Sequence, residues 1–495
     1  MDQLNEYFRQ AELALAAYAS LSTGKPSQDE LIKAGMSPTQ ADRFARDWRV
    51  VDQHTDALSG FSATLFQEID AGGNPVGEKR LAIRGTNDPI DWFVDWGIFA
   101  GTGAVDQYRA LEAYYQRLLT TGKLSGGERM SVTGHSLGGF LAQGFAVDYP
   151  GAVSQTYTYN APGLGGLVAE IFQALDWVQP NVPLDNIVNL RAEPGLPATA
   201  SLGTVLGNIQ PVLIEANLNP LHNHSIVTLT DALAIYNLLA TLDPNLNSKL
   251  ADIGELLKAA SHQAADTLEA TLSALGKLFG KTYPATETSR DTLYVNLYDL
   301  QAAAAGVSGL TVRSLTDFTA TQMAVVAQDN LAYRYALKNL NPFAVLGADY
   351  SPFNQNGELD RYDPATDSGT MSAAYLEDRA KFLYGLLKAN GTDTTALTVG
   401  GAEMWLFTDH ESGAGLTLTP RGITISGAHS LQFAKEEGQR LDGQGGADRA
   451  AFHYHARDPG RSRLPVVLST RGPECSAGGL PLRPDPPEPG LLLPD

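Results

Sequence analysis

Residues 131–139 read SVTGHSLGG and contain the pattern G-x-S-x-G, with its serine at position 136. A short β-prone segment precedes the pattern, and an apolar segment that can form a buried helix follows it at residues 140–147. A serine on such a strand-to-helix turn has strained backbone angles, and glycine neighbours let the strand and the helix approach while the hydroxyl stays exposed. The pattern therefore predicts that Ser136 is a nucleophile.

A nucleophile of this kind also needs N–H donors for the oxyanion that it creates. Residues 81–86 have the pattern of an apolar strand that ends in a glycine turn. We expect the backbone N–H of Thr86, at the end of this segment, and that of Leu137, directly after the serine, to form an oxyanion hole. The other interpretation of residues 81–86 is an ordinary strand end.

Three segments, taken in chain order, resemble class 3-type lipases of the α/β-hydrolase superfamily. They are RGTNDPIDWFVD at residues 84–95, GHSLGG at residues 134–139 and YTYNAPG at residues 157–163. The resemblance covers about residues 55–245 and extends to bacterial secreted lipases and phospholipases A1 that carry C-terminal Gly/Asp calcium repeats. It implies an α/β-hydrolase fold and ester hydrolysis by a Ser-acid-His triad.

The order of the triad along the chain in this fold is nucleophile, acid and base. Only His222 and His224, of the seven histidines after Ser136, precede an apolar helix-like segment within a plausible domain length. We predict that His224 is the base, because it directly precedes that helix and would be fixed by it. His222 is the alternative, and a surface loop in which both histidines only form hydrogen bonds is the non-catalytic interpretation.

The acid is predicted from the end of a strand. Residues 186–192 have a strand pattern, so Glu193 stands at the carboxyl end, where functional side chains of parallel sheets collect. Asp185 is a second candidate at the other end of this strand, and Glu215 is a third, closer in sequence to His224. A solvated turn at Glu193 would also explain the glutamate without catalysis.

The substrate class is predicted from two apolar segments. Residues 91–100 contain two tryptophans and two phenylalanines directly after the oxyanion strand, where class 3 lipases carry a mobile lid, and residues 164–178 are also rich in apolar side chains. Aromatic amphipathic segments prefer the boundary between oil and water. We expect a lipid ester substrate at an oil-water or membrane interface, with plain core packing as the alternative.

Composition excludes several classes of function. The formal net charge of −20 argues against nucleic acid as a partner, and no apolar stretch is long enough for a transmembrane segment. The first ten residues lack the basic start and apolar core of a signal peptide, so we expect a secreted, extracellular protein without a cleavable N-terminal signal. The single cysteine, Cys475, excludes disulfides within the chain.

The fold class predicted from these features is α/β, with an α/β-hydrolase core, added helices and a smaller mixed or β C-terminal region. The sequence YVNLYDL at residues 294–300 suggests a strand, whereas residues 375–387 suggest a helix and residues 396–435 suggest β-hairpins. The expected organisation is an α/β-hydrolase catalytic domain with N-terminal helices at 1–245, an amphipathic helical segment at 246–289, a mixed α/β region leading to a truncated repeat at 290–445, and a Pro/Arg-rich, disordered tail at 446–495.

Residues 441–448 resemble the start of a Gly/Asp calcium repeat that then stops, and residues 449–495 hold nine of the chain's 27 prolines. A truncation or a change of reading frame near residue 449 would explain this composition, and a natural proline-rich linker is the alternative. The triad chemistry requires no metal or organic cofactor. The resemblance admits calcium in a structural or lid role, but the sequence assigns no metal ligand.

These features together predict a secreted serine ester hydrolase that releases fatty acids from lipid esters through a covalent acyl-enzyme, of the lipase or phospholipase A1 type. Two other functions stay open. A short-chain carboxylesterase or polyester hydrolase would share every catalytic residue, and a catalytically inactive interface-binding module would keep the fold with a displaced acid.

Overall fold

The computed structural model describes residues 2–86, 89–163, 184–194, 205–261 and 264–390, and the strands at 403–408, 415–419, 422–426 and 438–442. The chain divides into two compact units, Met1–His455 and Ala456–Asp495. The second unit lies outside the described residues, and so does the predicted tail. The description that follows concerns the first unit.

A seven-stranded sheet forms the centre of this unit, and its strands lie side by side in chain order. The strands are β1 (Trp48–Thr55), β2 (Ser62–Ile69), β3 (Pro75–Ile83), β4 (Met130–His135), β5 (Val153–Tyr159), β6 (Ile187–Glu193) and β7 (Asn208–Leu213). The first three are antiparallel to one another, whereas β3 to β7 are all parallel. The carboxyl ends of the parallel strands therefore meet at one edge of the sheet, as in other open α/β sheets.

Helices cover both faces of this sheet, which explains why all six residues of β4 are buried. The helices up to this point are α1 (Gln3–Ala16), α2 (Gln28–Lys33), α3 (Pro38–Asp47), α4 (Pro89–Thr120), α5 (Leu137–Asp148), α6 (Pro220–His224) and α7 (Ile226–Leu242). Side chains alternate along β3, so Leu81 and Ile83 face α4 and α5, whereas Ala82 faces α1 and α7. The predicted α/β class is confirmed, with a mostly parallel sheet that helices cover on both faces.

The structure describes only one of the two apolar segments that the sequence predicts as lids. Residues 91–100 lie within α4, whose backbone is helical there, and their side chains are outside the described part of the chain. Residues 164–178 lie outside it altogether. The lid role of either segment stays a prediction.

Two helices, α8 (Leu250–Ala260) and α9 (Thr267–Leu278), lie where the spacing of leucines predicts amphipathic helices. Their apolar residues are buried, among them Ile253, Leu257, Leu268 and Leu272. The strand prediction for residues 294–300 is wrong, because these residues lie in helix α10 (Arg290–Ala304). Its burial explains the correction, because Leu293, Leu297 and Leu300 recur at helical spacing on the buried side.

The rest of the described chain is mixed, as expected. Two short strands, β8 (Thr311–Ser314) and β9 (Phe343–Leu346), pair antiparallel. The remaining elements are α11 (Ala320–Asp329), α12 (Leu331–Asn339), α13 (Ala373–Asn390), β10 (Glu403–Thr408), β11 (Gly415–Thr419), β12 (Gly422–Ser426) and β13 (Gly438–Asp442). The last four strands form a separate sheet with the order β12-β11-β10-β13. Within the described ranges, no helix is both long and apolar enough to cross a membrane.

Candidate active site

Ser136 lies on the turn between β4, which ends at His135, and α5, which begins at Leu137. Its φ of 55° and ψ of −124° belong to the left-handed half of backbone space, which costs an L-residue energy. The Ser136 N–H donates to the Tyr159 carbonyl across the sheet at 2.9 Å, and this bond holds the turn in place. The backbone therefore presents the Ser136 side chain at the carboxyl edge of the sheet.

Two glycines of the motif permit this turn. A Cβ on Gly134 would lie 2.3 Å from the Gly138 carbonyl carbon, and a Cβ on Gly138 would lie 2.2 Å from the Ile83 carbonyl oxygen. Both distances are far below any van der Waals contact, and the atoms that would be struck belong to the backbone. Strands β3 and β4 and helix α5 can therefore meet at the serine only without side chains at these two positions.

His224 faces the serine from the other side of the site. Its Nε2 lies 3.1 Å from Ser136 Oγ, which is hydrogen-bond distance, although 88 residues separate the two in sequence. His224 ends the short helix α6, and the next residue, Ser225, caps α7 by accepting from the Val227 N–H. Burial lowers the pKa of His224 well below its usual value, and the neighbouring His135 lowers it further. The imidazole is therefore neutral near pH 7 and can accept a proton.

Two side chains hold the backbone of this histidine. His135 Nε2 donates to the His224 carbonyl at 2.8 Å, and Asn160 Nδ2 donates to the same carbonyl at 2.9 Å. Asn160 follows β5, and its Oδ1 accepts from the Ala192 N–H of β6 at 2.9 Å. The ends of β4, β5 and β6 are thus joined to the loop that carries His224.

Sequence reasoning missed the contribution of both residues. Both stand in segments that were quoted for their resemblance, and both follow strands whose ends meet at one edge of the sheet. Position at the carboxyl end of a parallel strand is the signal that could have identified them.

The segment that was predicted to supply one oxyanion donor lies beside the nucleophile. A Cβ on Gly85 would lie 2.7 Å from the His135 carbonyl oxygen and 3.4 Å from Ser136 Cβ, so the backbone at Thr86 is next to the serine. Leu137 opens α5, and the first amides of a helix have no acceptor within it. Both residues therefore lie close to the nucleophile in the structure, and their role as oxyanion donors stays a prediction.

The three candidate acids lie in different places. Glu193 ends β6 at the carboxyl edge of the sheet and is exposed, and no hydrogen bond among the described residues joins its carboxylate to His224. Asp185 is exposed in a short 3₁₀ turn before β6, at the opposite end of that strand. Glu215 turns towards α9, where its carboxylate accepts from the Leu268 N–H at 2.8 Å.

The alternative base, His222, is not directed at the serine. Its Nε2 donates to the backbone carbonyl of Glu215 at 2.9 Å, within the loop that leads from β7 to α7. The geometry thus brings together Ser136 and His224, and it places His222 in a structural hydrogen bond. The role of Glu193 as the acid remains a prediction.

No cluster of three or more histidine, cysteine, aspartate or glutamate side chains suited to a metal exists within the part of the chain that the structure describes. The Gly/Asp segment at residues 441–448 is described only as far as the end of β13, at Asp442. The calcium that the resemblance admits in a structural or lid role stays a prediction.

Three solved structures that this chain resembles are lipases. A Lip2 lipase from Yarrowia lipolytica is 19% identical over 42% of this chain and 78% of its own, with a TM-score of 0.28. Lipase II from Rhizopus niveus is 18% identical over 43% of this chain and 82% of its own, with the same TM-score of 0.28. A triacylglycerol lipase from Penicillium expansum is 14% identical, over 42% and 79%, with a TM-score of 0.23. Likeness at this level assigns no function, and neither a family model nor a curated protein matches the chain.

Proposed function

We propose that this protein is a serine ester hydrolase that releases fatty acids from lipid esters, of the lipase or phospholipase A1 type. The hydrogen bond between Ser136 Oγ and His224 Nε2 carries this proposal, because it joins a hydroxyl on a strained turn to a neutral, buried imidazole. A hydroxyl paired with a base at this distance is the arrangement that activates a serine nucleophile.

The reaction follows from the positions of these two groups. Neutral His224 takes the hydroxyl proton as Ser136 Oγ forms a bond to the ester carbonyl carbon. The tetrahedral intermediate collapses, its bond to the leaving alcohol breaks, and His224 returns the proton to that alcohol. Water then attacks the acyl-enzyme with His224 again as the base, which releases the fatty acid and restores the serine.

The oxyanion of both intermediates requires donors at a fixed position. Leu137 supports this step, because its N–H is at the positive end of the twelve-residue helix α5, next to the nucleophile. Thr86 would supply the second donor from the turn that lies against Ser136. Removal of one such donor typically costs about 10²–10³ in rate.

Glu193 remains the proposed acid. It is the carboxylate at the carboxyl end of β6, and this edge of the sheet also carries Ser136 and His224. Asp185 lies at the opposite end of the same strand, and Glu215 already accepts two hydrogen bonds from the start of α9. In the proposed triad, Glu193 would orient the imidazole and stabilise its charged form.

The choice of lipid esters rests on the aromatic segment at residues 91–100, which directly follows the oxyanion turn and lies in α4. A net charge of −20 favours neutral or zwitterionic lipid surfaces over anionic ones. We further propose that the protein acts outside the cell, as the resemblance to secreted lipases implies.

The test measures hydrolysis of p-nitrophenyl esters from acetate to palmitate, together with fatty-acid release from triacylglycerol and from phosphatidylcholine. The variants are Ser136→Ala, His224→Ala and Glu193→Ala, and Ser154→Ala is the control, because its hydroxyl bonds Glu78 away from the site. We expect activity and fluorophosphonate labelling in the wild type and the control. Both should fall by a factor of at least about 10³ in Ser136→Ala and His224→Ala.

The substrate series separates the competing functions. A preference for long chains with release from either lipid supports the proposal, and the two lipids decide between a lipase and a phospholipase. Hydrolysis confined to acetate and butyrate would replace it by a short-chain esterase. Absence of both hydrolysis and labelling in the folded wild type, with calcium present, would replace it by an inactive interface-binding module.

A further inference from the structure

One side chain from the N-terminal helices reaches the residues behind the active site. Tyr18 lies two residues beyond the end of α1, and its hydroxyl oxygen is 2.9 Å from His135 Nδ1. His135, the residue before the nucleophile, is only 6% exposed. This contact spans 117 residues of sequence and belongs to none of the groups that take part in the proposed chemistry.

The direction of each hydrogen bond in this chain can be assigned. The His224 carbonyl can only accept, so His135 Nε2 carries the hydrogen of the bond between them. Burial lowers the pKa of His135 to about 4, so the ring is neutral and its Nδ1 has no hydrogen. His135 Nδ1 is therefore an acceptor, and the Tyr18 hydroxyl donates to it.

The same hydroxyl also contacts the oxyanion turn. A Cβ on Gly85 would lie 2.5 Å from the Tyr18 oxygen, so this oxygen lies against the backbone of Gly85. The Tyr18 hydroxyl thus lies between the turn that carries Thr86 and the ring that holds the His224 carbonyl. It therefore contacts the turn that carries the proposed oxyanion donor, Thr86, and the His135 ring that holds the proposed base, His224.

We infer that Tyr18 is a positioning residue: its hydroxyl fixes the His135 ring, and His135 fixes the His224 backbone so that Nε2 stays in line with Ser136 Oγ. This inference rests on the proposed function of Ser136 and His224. Tyr18 touches neither the substrate nor the reacting atoms, so it acts only through His135.

Loss of the hydroxyl should weaken this chain without breaking it. In Tyr18→Phe, the buried Nδ1 of His135 loses its donor, and an unsatisfied buried polar group is unfavourable. The ring can relieve this cost by turning, which releases the His224 carbonyl from one of its two donors. Asn160 still holds that carbonyl, so the loss should be partial.

The experiment compares Tyr18→Phe, His135→Gln and the double variant with the wild type. Each protein is measured for kcat, for KM and for the rate of fluorophosphonate labelling at Ser136. The control is Tyr7→Phe, which removes a tyrosine hydroxyl from α1 that bonds Gln3 on the same helix. Thermal unfolding of every variant shows which proteins are folded.

For Tyr18→Phe, we expect kcat and the labelling rate to fall about tenfold, KM to stay within twofold and the control to match the wild type. In the His135→Gln background, the Tyr18 change should have almost no additional effect, because the glutamine cannot transmit it. A change in stability alone would not produce this selective loss in kcat and labelling rate.

Two results would overturn the inference. One is a Tyr18→Phe protein whose kcat and labelling rate equal those of the wild type, even if its melting temperature is lower. The other is a Tyr18 effect of equal size with and without His135, which would mean that Tyr18 acts by another route. Neither concerns the proposed function itself, which is tested separately by the reactivity of wild-type Ser136 and by the substrate series.

Discussion

At the scale of single residues, the active site depends on backbone strain that hydrogen bonds offset. The left-handed conformation of Ser136 costs about 1–3 kcal/mol. Its N–H donates to Tyr159, and its carbonyl accepts from the Gly139 and Phe140 N–H groups of the first turn of α5. These bonds make the strained geometry the stable one, so the hydroxyl is in position before substrate arrives.

The low pKa of His224 predicts the pH range of activity. The base must be neutral, and burial keeps the folded-state pKa below the ordinary value of 6.5. As pH falls, activity should therefore persist below pH 6.5 and decline only when the buried ring is protonated. We expect the acidic limb of the kcat/KM profile, measured with a soluble p-nitrophenyl ester, to have its midpoint below pH 6.5.

The Glu193→Ala variant provides the control for this profile. A carboxylate that bonded the imidazole in the active enzyme would raise the His224 pKa, and its removal would move the midpoint to lower pH. A wild-type midpoint at or above pH 6.5 would contradict the expectation and would show that a charge partner outweighs burial.

At the scale of secondary structure elements, the site exists because β3, β4 and α5 approach one another more closely than side chains permit. The register pairs Ile83 with Gly134, so the ends of the two strands are level. The start of α5 then lies over the end of β3, and the Gly138 Cα faces the Ile83 carbonyl. Three elements thus share one contact point behind the nucleophile.

The Gly138→Ala variant tests this contact. Its Cβ would lie 2.2 Å from the Ile83 carbonyl oxygen, so β3 and α5 must separate. We expect a loss of about 3 kcal/mol or more in the free energy of unfolding, measured with denaturant, together with loss of hydrolysis. Gly151→Ala is the matched control, since a Cβ there has no atom within 4 Å. Equal stability of the two variants would contradict the close approach.

At the scale of the whole molecule, polar groups join the seven-stranded sheet and its covering helices to the helices that follow. Arg290 at the start of α10 forms an ion pair with Asp231 of α7 at 2.6 Å and donates to the Gln40 side chain of α3 at 2.9 Å. Glu215, after β7, bonds the first residues of α9. The helices α9 and α10 are thus attached to this core by hydrogen bonds as well as by apolar packing.

Glu215 makes the stability of this assembly depend on pH. Burial, and then the charge of Glu269, raise its pKa from 4.5 to about 9. Between these two values the folded state binds a proton that the unfolded state releases, so stability falls as pH rises through this window. The variant Glu215→Gln removes the titration and keeps an oxygen that can accept from Leu268.

We expect Glu215→Gln to raise the free energy of unfolding by about 1–3 kcal/mol at pH 8 and by much less at pH 5. It should also retain hydrolysis, because the carboxylate bonds the start of α9 and lies outside the proposed triad. The exposed Glu255 of α8 provides the control, and Glu255→Gln should leave the free energy of unfolding close to that of the wild type. A Glu215→Gln gain that is the same at both pH values would contradict the raised pKa.

Local patterns in the chain determined the nucleophile turn, the α/β class and the order of the candidate triad. The reason is that G-x-S-x-G, strand and helix periodicity and chain order each act over a few neighbouring residues or follow from connectivity. For the same reason, the sequence wrongly predicted a strand for the segment that begins at residue 294. Its β-prone composition is local, but the burial of one side of α10 against the core decided the helix.

The tertiary structure decided which side chains support the base. Tyr18 bonds His135 over a separation of 117 residues. Asn160 and His135 bond the His224 carbonyl over separations of 64 and 89 residues. No local pattern encodes such contacts. They arise because parallel strands end at the same edge of the sheet and because α1 packs across it. The sequence favours His224 as the base and leaves His222 as the alternative, and the hydrogen bond to the serine belongs to His224, because side-chain geometry forms only after the elements pack.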